Sequence, residues 1–451
     1  MKQVKRRLEV LSLYDCSGIV RHLEAMAQKG WALENITNNI WRYRRIEPRK
    51  LGYSVVYLPG SSEFDPGPTA ENQELQEFCA QAGWVQVASM AQMHIFVNEN
   101  PNAVPIDTDP VLQVDTIHAS MKKNFIPTQI AMMCVGILQL FLCLIRYNLN
   151  AIDFLVQNAN LVSVSCWLMV IFLSTVDLVK YFSWHRKAVE AAQAGEFLPT
   201  RGTENMQKAT LWVLALMVIC WVLSIDSAEH AFFLLVGCIY VGVVFGAVFG
   251  VKTLLKKRGA QTGTTRTAVW ITSFVTAFLM SFGLIWIGFA VSDMDVFEVQ
   301  VEEVEVDGEI YHIRDDELPL YIQDLADSDW PRYTTYCYEN SSLLLTHIST
   351  SQDPVPSGAP SLGVNVYQIH FPPIRETVLE ELTRRYSGHY GELILMDMDI
   401  DGAEIYRHVR NGELWNTVLV CQDNRFIMLH PGWELTEQQI RTAMDILSER
   451  K

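Results

Sequence analysis

The sequence predicts a membrane protein of mixed α and β structure in three parts. An α+β cytoplasmic domain covers residues 1–115, a five-helix transmembrane bundle 116–292, and an acidic α+β outer domain 293–451. Two observations carry this division. Five long apolar runs without a charge fill the middle of the chain. Charge is also split: from Ser292 onward there are 30 acids against 11 bases, a net of −19, which leaves +3 for residues 1–291. Hydrophobic residues make up 49% and charged residues only 19% of the 451, with mean hydropathy +0.11, so buried or lipid-facing segments are required. A net charge of −16 argues against a nucleic-acid binder. Nine cysteines with no CxxC argue against a zinc ribbon and against a disulfide-dense scaffold.

The first part reads as short strands and two helices. Lys5–Leu13 alternates as a strand. Asp15 or Ser17 caps a helix that runs through Gln28, with Ile19, His22, Leu23 and Met26 near one face, and Gly30 ends it. Trp31–Thr37 and Ile40–Ile46 follow as strands around an Asn38-Asn39 turn. Gly52–Leu58 alternates again. A Gly/Pro/Ser loop over Pro59–Pro68 leads to a helix over Asn72–Ala82, ended by Gly83. Trp84–Ser89 and Met93–Asn98 complete the set. The order is strand-helix-strand-strand, twice, with Gly30-Trp31 matched by Gly83-Trp84. Helices on one face of an antiparallel sheet bury both apolar sides, which predicts a sandwich related to the ferredoxin-like group. The aromatics Trp31, Trp41, Tyr43, Tyr53, Tyr57 and Trp84 read as core; the segment is near neutral and lacks the basic field that a base-stacking platform needs.

The Gly-Trp after the first helix, the Trp41-x-Tyr43 strand and the Tyr53–Tyr57 strand resemble a bacterial domain of unknown function, number 2812, over about residues 5–100. The resemblance implies several membrane spans after the domain. Members are often encoded beside PadR-like transcriptional regulators, which implies a regulatory setting. The resemblance carries over no catalytic residue.

The apolar runs are Phe125–Ile145, Phe154–Val176, Ala209–Ile225, Ala231–Val251 and Thr267–Ser292. They predict spans at about 125–146, 156–178, 209–226, 231–252 and 267–292, since crossing ~30 Å of hydrocarbon takes ~20 helical residues. The second run carries several Ser and Thr, and the third has only 17 residues. Met1–Arg7 is basic but no apolar stretch follows it, so no signal peptide is expected. Lys122 and Lys123 precede the first span. Lys180, Arg186, Lys187, Arg201 and Lys208 lie between the second and third, and Lys252, Lys256, Lys257, Arg258 and Arg266 between the fourth and fifth. The other loops hold Arg146 alone. This bias puts the N-terminus in the cytoplasm and the C-terminus outside the cell membrane. Gly242, Gly246 and Gly250 recur every four residues in the fourth run, which predicts a helix-packing strip. Asp177, Asp226, Glu229 and His230 fall at span ends, and no span carries an ionisable relay.

In the last part Val296–Val306 alternates into an Asp307-Gly308 hairpin and Glu309–Ile313. Tyr321–Leu325 reads as a short helix. Arg332–Tyr338 and Val364–Phe371 read as strands, with a Pro/Gly/Ser loop at Gln352–Pro360. Ile374–Tyr386 is a helix entered by Pro372-Pro373. Leu393–Met398, Glu404–Arg410, Leu414–Cys421 and Arg425–Leu429 are strands, turned at Asp401-Gly402 and Asn411-Gly412. Thr436 with Gln439 forms a capping box that opens the final helix.

Three features there bear on chemistry. Asp397-Met-Asp399-Ile-Asp401-Gly402 matches the start of a calcium loop, but the twelfth position is His408 where a bidentate carboxylate is needed. His347, His370, His389, His408 and His430 show no ligand spacing. Cys337 and Cys421 either form one disulfide or are buried free thiols. No nucleophile, Walker or dinucleotide motif is present. No cofactor, metal or catalytic residue is expected. The expected surroundings are the lipid bilayer and a protein partner, a regulator or a membrane complex. The expected role is a non-enzymatic sensor or regulatory adaptor that links the two sides, with an accessory subunit of a transporter as the alternative.

Overall fold

In a computed structural model of the chain, the described residues are 3–9, 12–37, 40–200, 203–223, 228–293, 302–306, 308–327, 329–386, 391–400, 402–410 and 413–449. They fall into two compact units, one of residues 1–139 and 166–290, the other of 140–165 and 291–451.

The first unit opens with β1 (Val4–Leu8), α1 (Cys16–Gln28), β2 (Trp31–Thr37) and β3 (Ile40–Arg45), then β4 (Gly52–Tyr57), α2 (Ala70–Gln81), β5 (Val85–Met90) and β6 (Met93–Asn98). The first strand is shorter than the sequence predicts, because residues 13 and 14 turn into α1. The Asn38-Asn39 turn lies outside the described residues. The repeat is present in full: β1-β3-β2 is one antiparallel sheet and β4-β6-β5 is another in the same order. Gly30 (φ +79°) and Gly83 (φ +78°) end the two helices in equivalent places. The two repeats form separate sheets. β2 slips register between Leu33 and Asn35, and β5 slips between Gln86 and Ala88. A bulge twists an edge away from straight pairing, and among the described residues no ladder joins the two sheets.

Next comes α3 (Pro110–Lys123), which the sequence reading passed over. Its signals are plain in retrospect: Asp109 accepts from the Val111 and Leu112 N–H groups, and Pro110 occupies the first turn. Val114, Ile117 and Met121 are buried one above another along the helix. The unit's main core therefore reaches past residue 115. It joins Ile19, Leu23, Trp41, Tyr43 and Ile95 to Ile117, Met121, Phe125 and Tyr181.

The helices that follow are α4 (Phe125–Leu149), α5 (Ala151–Leu155), α6 (Asn158–Gln193), α7 (Thr203–Leu223), α8 (Ala228–Lys257) and α9 (Thr262–Asp293). Among the described residues three stretches are long and apolar enough to cross a membrane: Pro110–Leu149, Asn158–Gln193 and Leu235–Lys257. In α7 the apolar stretch is Lys208–Cys220. The second long apolar helix begins at Asn158, close to the expected start at about 156. Before it, Asn150 caps α5 by accepting from the Asp153 N–H, and Ile152 and Leu155 enter the core of the second unit. Asp226 lies outside the described residues, as do the side chains of Glu229 and His230.

The second unit holds the hairpin of β7 (Glu302–Val306) and β8 (Glu309–Ile313), the short helix α10 (Ile322–Leu325), then β9 (Tyr333–Ser341), β10 (Leu345–Pro354) and β11 (Leu362–Ile369). After a 3-10 turn at Pro372–Ile374 come α11 (Arg375–Arg385), β12 (Glu392–Ile400), β13 (Ala403–Arg410), β14 (Glu413–Gln422), β15 (Arg425–Pro431) and α12 (Glu437–Glu449). Residues 296–301, Asp307, His389, Asp401, Asn411 and Gly412 lie outside the described residues. One antiparallel sheet takes the order β12-β13-β14-β15-β11-β10-β9. One face buries Val364, Val418, Val420, Ile427 and Leu429 with Ile440 and Leu447 of α12. The other buries Leu419, Cys421, Phe426 and Met428 with Val378 and Leu382 of α11 and with Ile152 and Leu155 of α5. The capping box forms: Thr436 Oγ1 accepts from the Gln439 N–H at 3.3 Å, and Gln439 Oε1 accepts from the Thr436 N–H at 2.9 Å. β10 was missed, since its Ser/Thr-rich sequence resembles a loop.

Candidate functional site

In the first unit, one place combines a cavity, a buried charge and helices that continue into apolar spans. It starts at the N-terminus of α1. Asp15 is 1% exposed, and its Oδ1 accepts from the Gly18 N–H at 2.8 Å, as a helix cap should. The same oxygen accepts from Thr200 Oγ1, in the loop that follows α6. Thr200 is itself 1% exposed; its carbonyl accepts from Arg21 Nη2 at 3.3 Å, and its N–H reaches Ser17 Oγ at 3.4 Å. A Cβ at residue 18 would stand 2.3 Å from Asp15 Oδ2, so the cap requires glycine there.

Beside this lock stands an aromatic group. The Tyr14 ring lies 5.1 Å from Tyr181 and 5.5 Å from Phe125, edge on in both cases. Tyr181 is fully buried, and its Oη lies 2.7 Å from His118 Nδ1 of α3. His118 stacks on His185 of α6 at 4.0 Å. Val114, Ala188 and Ala192 continue the contact between α3 and α6. Residues of α1, α3, α4 and α6 thus share one interior.

A cavity of about 490 Å³ opens next to it, lined among others by Glu9, Leu13, Trp41, Tyr57, Met121 and Asn124. Burial opposes the charge of Glu9. The hydrogen bond and charge of His22, with Arg7 and the Tyr43 hydroxyl, outweigh it and hold the carboxyl below its ordinary range. Glu9 Oε1 lies 3.2 Å from both His22 Nε2 and Arg7 Nε. Tyr57 Oη donates to the Leu13 carbonyl, and its complete burial raises its pKa well above the phenol range. Burial also pushes the Cys16 thiol up to about 11, so it is no nucleophile at neutral pH. The cavity supplies apolar and aromatic walls with two compensated carboxylates, Glu9 and Glu63, the second paired with Lys252 at 2.7 Å. That suits binding; it contains no activated nucleophile.

The residues singled out by sequence fall elsewhere. Among the described residues nothing stands within 4 Å of a Cβ built at Gly242, Gly246 or Gly250. The tight helix contact is at Gly136 of α4, where a Cβ would meet Ile171 Cγ1 at 2.7 Å. Of the two readings left open for Cys337 and Cys421, the free-thiol one holds: both are free thiols, Cys421 buried and Cys337 partly so. Cys337 is on β9 and Cys421 on β14, with β10, β11 and β15 between them. Four strand spacings of ~4.8 Å place them roughly 19 Å apart, far beyond the ~7 Å a disulfide spans. Burial pushes the Cys421 thiol up to about 12. Asp397 lies on β12, where register shifts between Met396 and Ile400; the Asp399 side chain and Asp401 lie outside the described residues. Among the described residues no group of three His, Cys, Asp or Glu is placed to hold a metal ion. His347 stacks on Tyr367 at 4.5 Å, and His370 Nε2 meets Thr346 Oγ1 at 2.9 Å. His408 and His430 do come together.

No curated protein and no solved structure matches the chain. Residues 16–128, from the first residue of α1 into the first turn of α4, match the family model described as "Protein of unknown function (DUF2812)". The match takes in α3 as well as both hairpins, and the N-terminal unit of this chain carries that domain.

Proposed function

We propose that the protein is a non-enzymatic sensor or regulatory adaptor of a bacterial cell membrane. In this reading α4, α6, α7, α8 and α9 are five crossings, the DUF2812 domain is cytoplasmic, and the C-terminal domain is extracytoplasmic. The surroundings are the lipid bilayer and a protein partner, a regulator or a membrane complex, with no nucleic acid. One observation carries the proposal: α4 and α6 each contribute residues to the interiors of both units. Phe125 and Tyr181 belong to the core of the first, while Tyr147 packs on the core of the second and Asn160 Nδ2 donates to the Phe154 carbonyl at 3.1 Å there. A shift of either helix therefore acts on packed side chains in each unit, which is the physical requirement for linkage. The loops support the proposed topology. Thr200 and Thr262, in the two base-rich loops, bond to Asp15 and Asp65 of the first unit, and residues 151–155 pack into the second.

The test is hydrogen exchange on the detergent-solubilised full chain. Arg385 binds Asn150 and lies 3.6 Å from Asp153, so Arg385→Ala loosens the α4–α6 loop. Faster exchange in residues 12–24 and 194–200 is expected. Unchanged exchange there ends the adaptor reading. The alternative, an accessory subunit of a membrane transporter, draws on α8, whose glycine strip meets no neighbour within the described residues and is open to another membrane helix.

A further inference from the structure

The second unit is strongly acidic, yet one cavity in it is lined by bases and rings. His408, Thr417 and His430 stand side by side on β13, β14 and β15, with His408 inside the β13 bulge between Arg407 and Val409. Together with Tyr386 at the end of α11, Arg385, Arg410 and Trp415, they line a space of about 410 Å³, within the size range of small-molecule sites. Among the described residues no carboxylate lines it.

Its hydrogen bonding is incomplete in a specific way. His408 is 4% exposed, and neither Nδ1 nor Nε2 has a partner among the described residues. A buried imidazole with both nitrogens idle is destabilising, because each unmet group has given up its hydrogen bond to water. Gly391 packs its backbone close to this ring: a Cβ at that position would stand 2.8 Å from His408 Nε2 and 2.1 Å from the Val409 carbonyl oxygen. His430 Nδ1 lies 3.1 Å from Thr417 Oγ1, and its Nε2 lies 3.1 Å from Tyr386 Oη. A neutral imidazole has one N–H and one lone pair. Whichever nitrogen carries the proton, one hydroxyl donates to the ring, and the other keeps a hydrogen to place elsewhere. His430 is held neutral, its pKa pushed down to about 4 by burial and by His408.

The charges are graded too. Arg385 is engaged with Glu381 and Asp153. Arg410 forms no ion pair among the described residues; its guanidinium lies over the Trp415 ring at 5.1 Å. Around the cavity thus stand a buried imidazole without a partner among the described residues, a spare hydroxyl hydrogen and, in Arg410, a guanidinium without an ion pair among the described residues, between flat walls. His430 stacks on Tyr386 at 5.8 Å, and His408 meets Trp415 edge on at 5.8 Å.

We infer that this cavity is a binding site for a small organic monoanion, a carboxylate on a flat apolar body, with the carboxylate toward His408 and Arg410 and the body against Tyr386 and Trp415. One negative charge matches the guanidinium of Arg410, which forms no ion pair among the described residues, and the rings match an apolar group. The inference stands without the adaptor reading, because occupancy is measured directly.

Equilibrium dialysis of radiolabelled benzoate against the detergent-solubilised full chain tests it. The expected result is saturable binding at a single site per chain, weakened about tenfold or more by Arg410→Gln and by His408→Phe, and not displaced by benzyl alcohol or inorganic phosphate. Arg410 is at the rim, so Arg410→Gln spares the core and decides the matter if His408→Phe lowers the melting temperature. Absence of saturable binding at millimolar benzoate overturns the inference and leaves the cavity to water. So does binding untouched by Arg410→Gln, or displacement by phosphate as effective as by unlabelled benzoate.

Discussion

Thr200 Oγ1 donates to Asp15 Oδ1 across 185 residues of sequence, and both side chains are almost fully buried. The bond ties the loop after the second span to the helix cap of the DUF2812 domain. Thr200→Val keeps the shape and removes the donor. The expected loss is about 1–3 kcal/mol, because a buried carboxylate oxygen loses a partner. Thermal melting of the detergent-solubilised chain reads the loss, and limited proteolysis should show faster cleavage near residues 194–200. A melting curve that does not move would mean that water replaces the hydroxyl.

Two glycines on different helices should respond oppositely to a larger side chain. Gly136→Leu drives a side chain into Ile171, already 2.7 Å from a Cβ, and overpacking of this kind costs about 1–3 kcal/mol. At Gly246 a Cβ meets no atom of the described residues within 4 Å, so Gly246→Leu should leave the melting of the single chain unchanged. Cross-linking of chain copies in native membranes then tells whether α8 packs on a second helix.

His94 gives the first unit a dependence on pH. It is 2% exposed, and burial pushes its pKa down from 6.5 to about 4. The unfolded chain binds a proton at higher pH than the folded one. The stabilising effect is therefore complete above pH 6.5 and is lost as pH falls toward 4, by on the order of 3 kcal/mol. Melting temperature against pH should drop through this window, and His94→Gln should flatten the drop. An equal slope in that variant would assign the acid sensitivity to carboxylates instead.

The proposed topology has a direct reading on intact cells. Ser357 and Asn102 are both exposed, one in each unit. With Cys337→Ser as background, Ser357→Cys should react with an impermeant maleimide and Asn102→Cys should not. Labelling of both or of neither contradicts an odd number of crossings.

Much of the fold was legible because its signals are local. The duplicated helix, Gly-Trp and hairpin pattern follows from left-handed glycines at Gly30 and Gly83 and from alternation in the strands that follow. The Thr436–Gln439 box announced α12 four residues at a time. What escaped depends on distant partners. β10 is a strand because β9 and β11 flank it, not because Ser349, Thr350 and Ser351 favour one. Ile152 and Leu155 look like the start of a span until Leu345 and Tyr367 meet them. The candidate site was less readable still. Asp15 reads as a cap in sequence, but its second partner is Thr200, and no local spacing brings His408, Thr417 and His430 onto neighbouring strands.

The seven-stranded sheet has two edges, and each is a place where another chain can add a strand. At β9 the outward groups are already taken: Thr335 donates its N–H to the Arg314 carbonyl at 2.7 Å, and Cys337 donates its N–H to Asp316 Oδ2 at 2.8 Å. At β12 the guard is electrostatic, with Glu392 and Asp397 on the open strand and Glu404 and Glu413 on the two strands behind it. Two copies meeting edge to edge would bring these carboxylates together within a Debye length of ~8 Å at physiological salt. The acidity of this domain thus acts as a barrier to fibre-like assembly, one that high salt or low pH should lower.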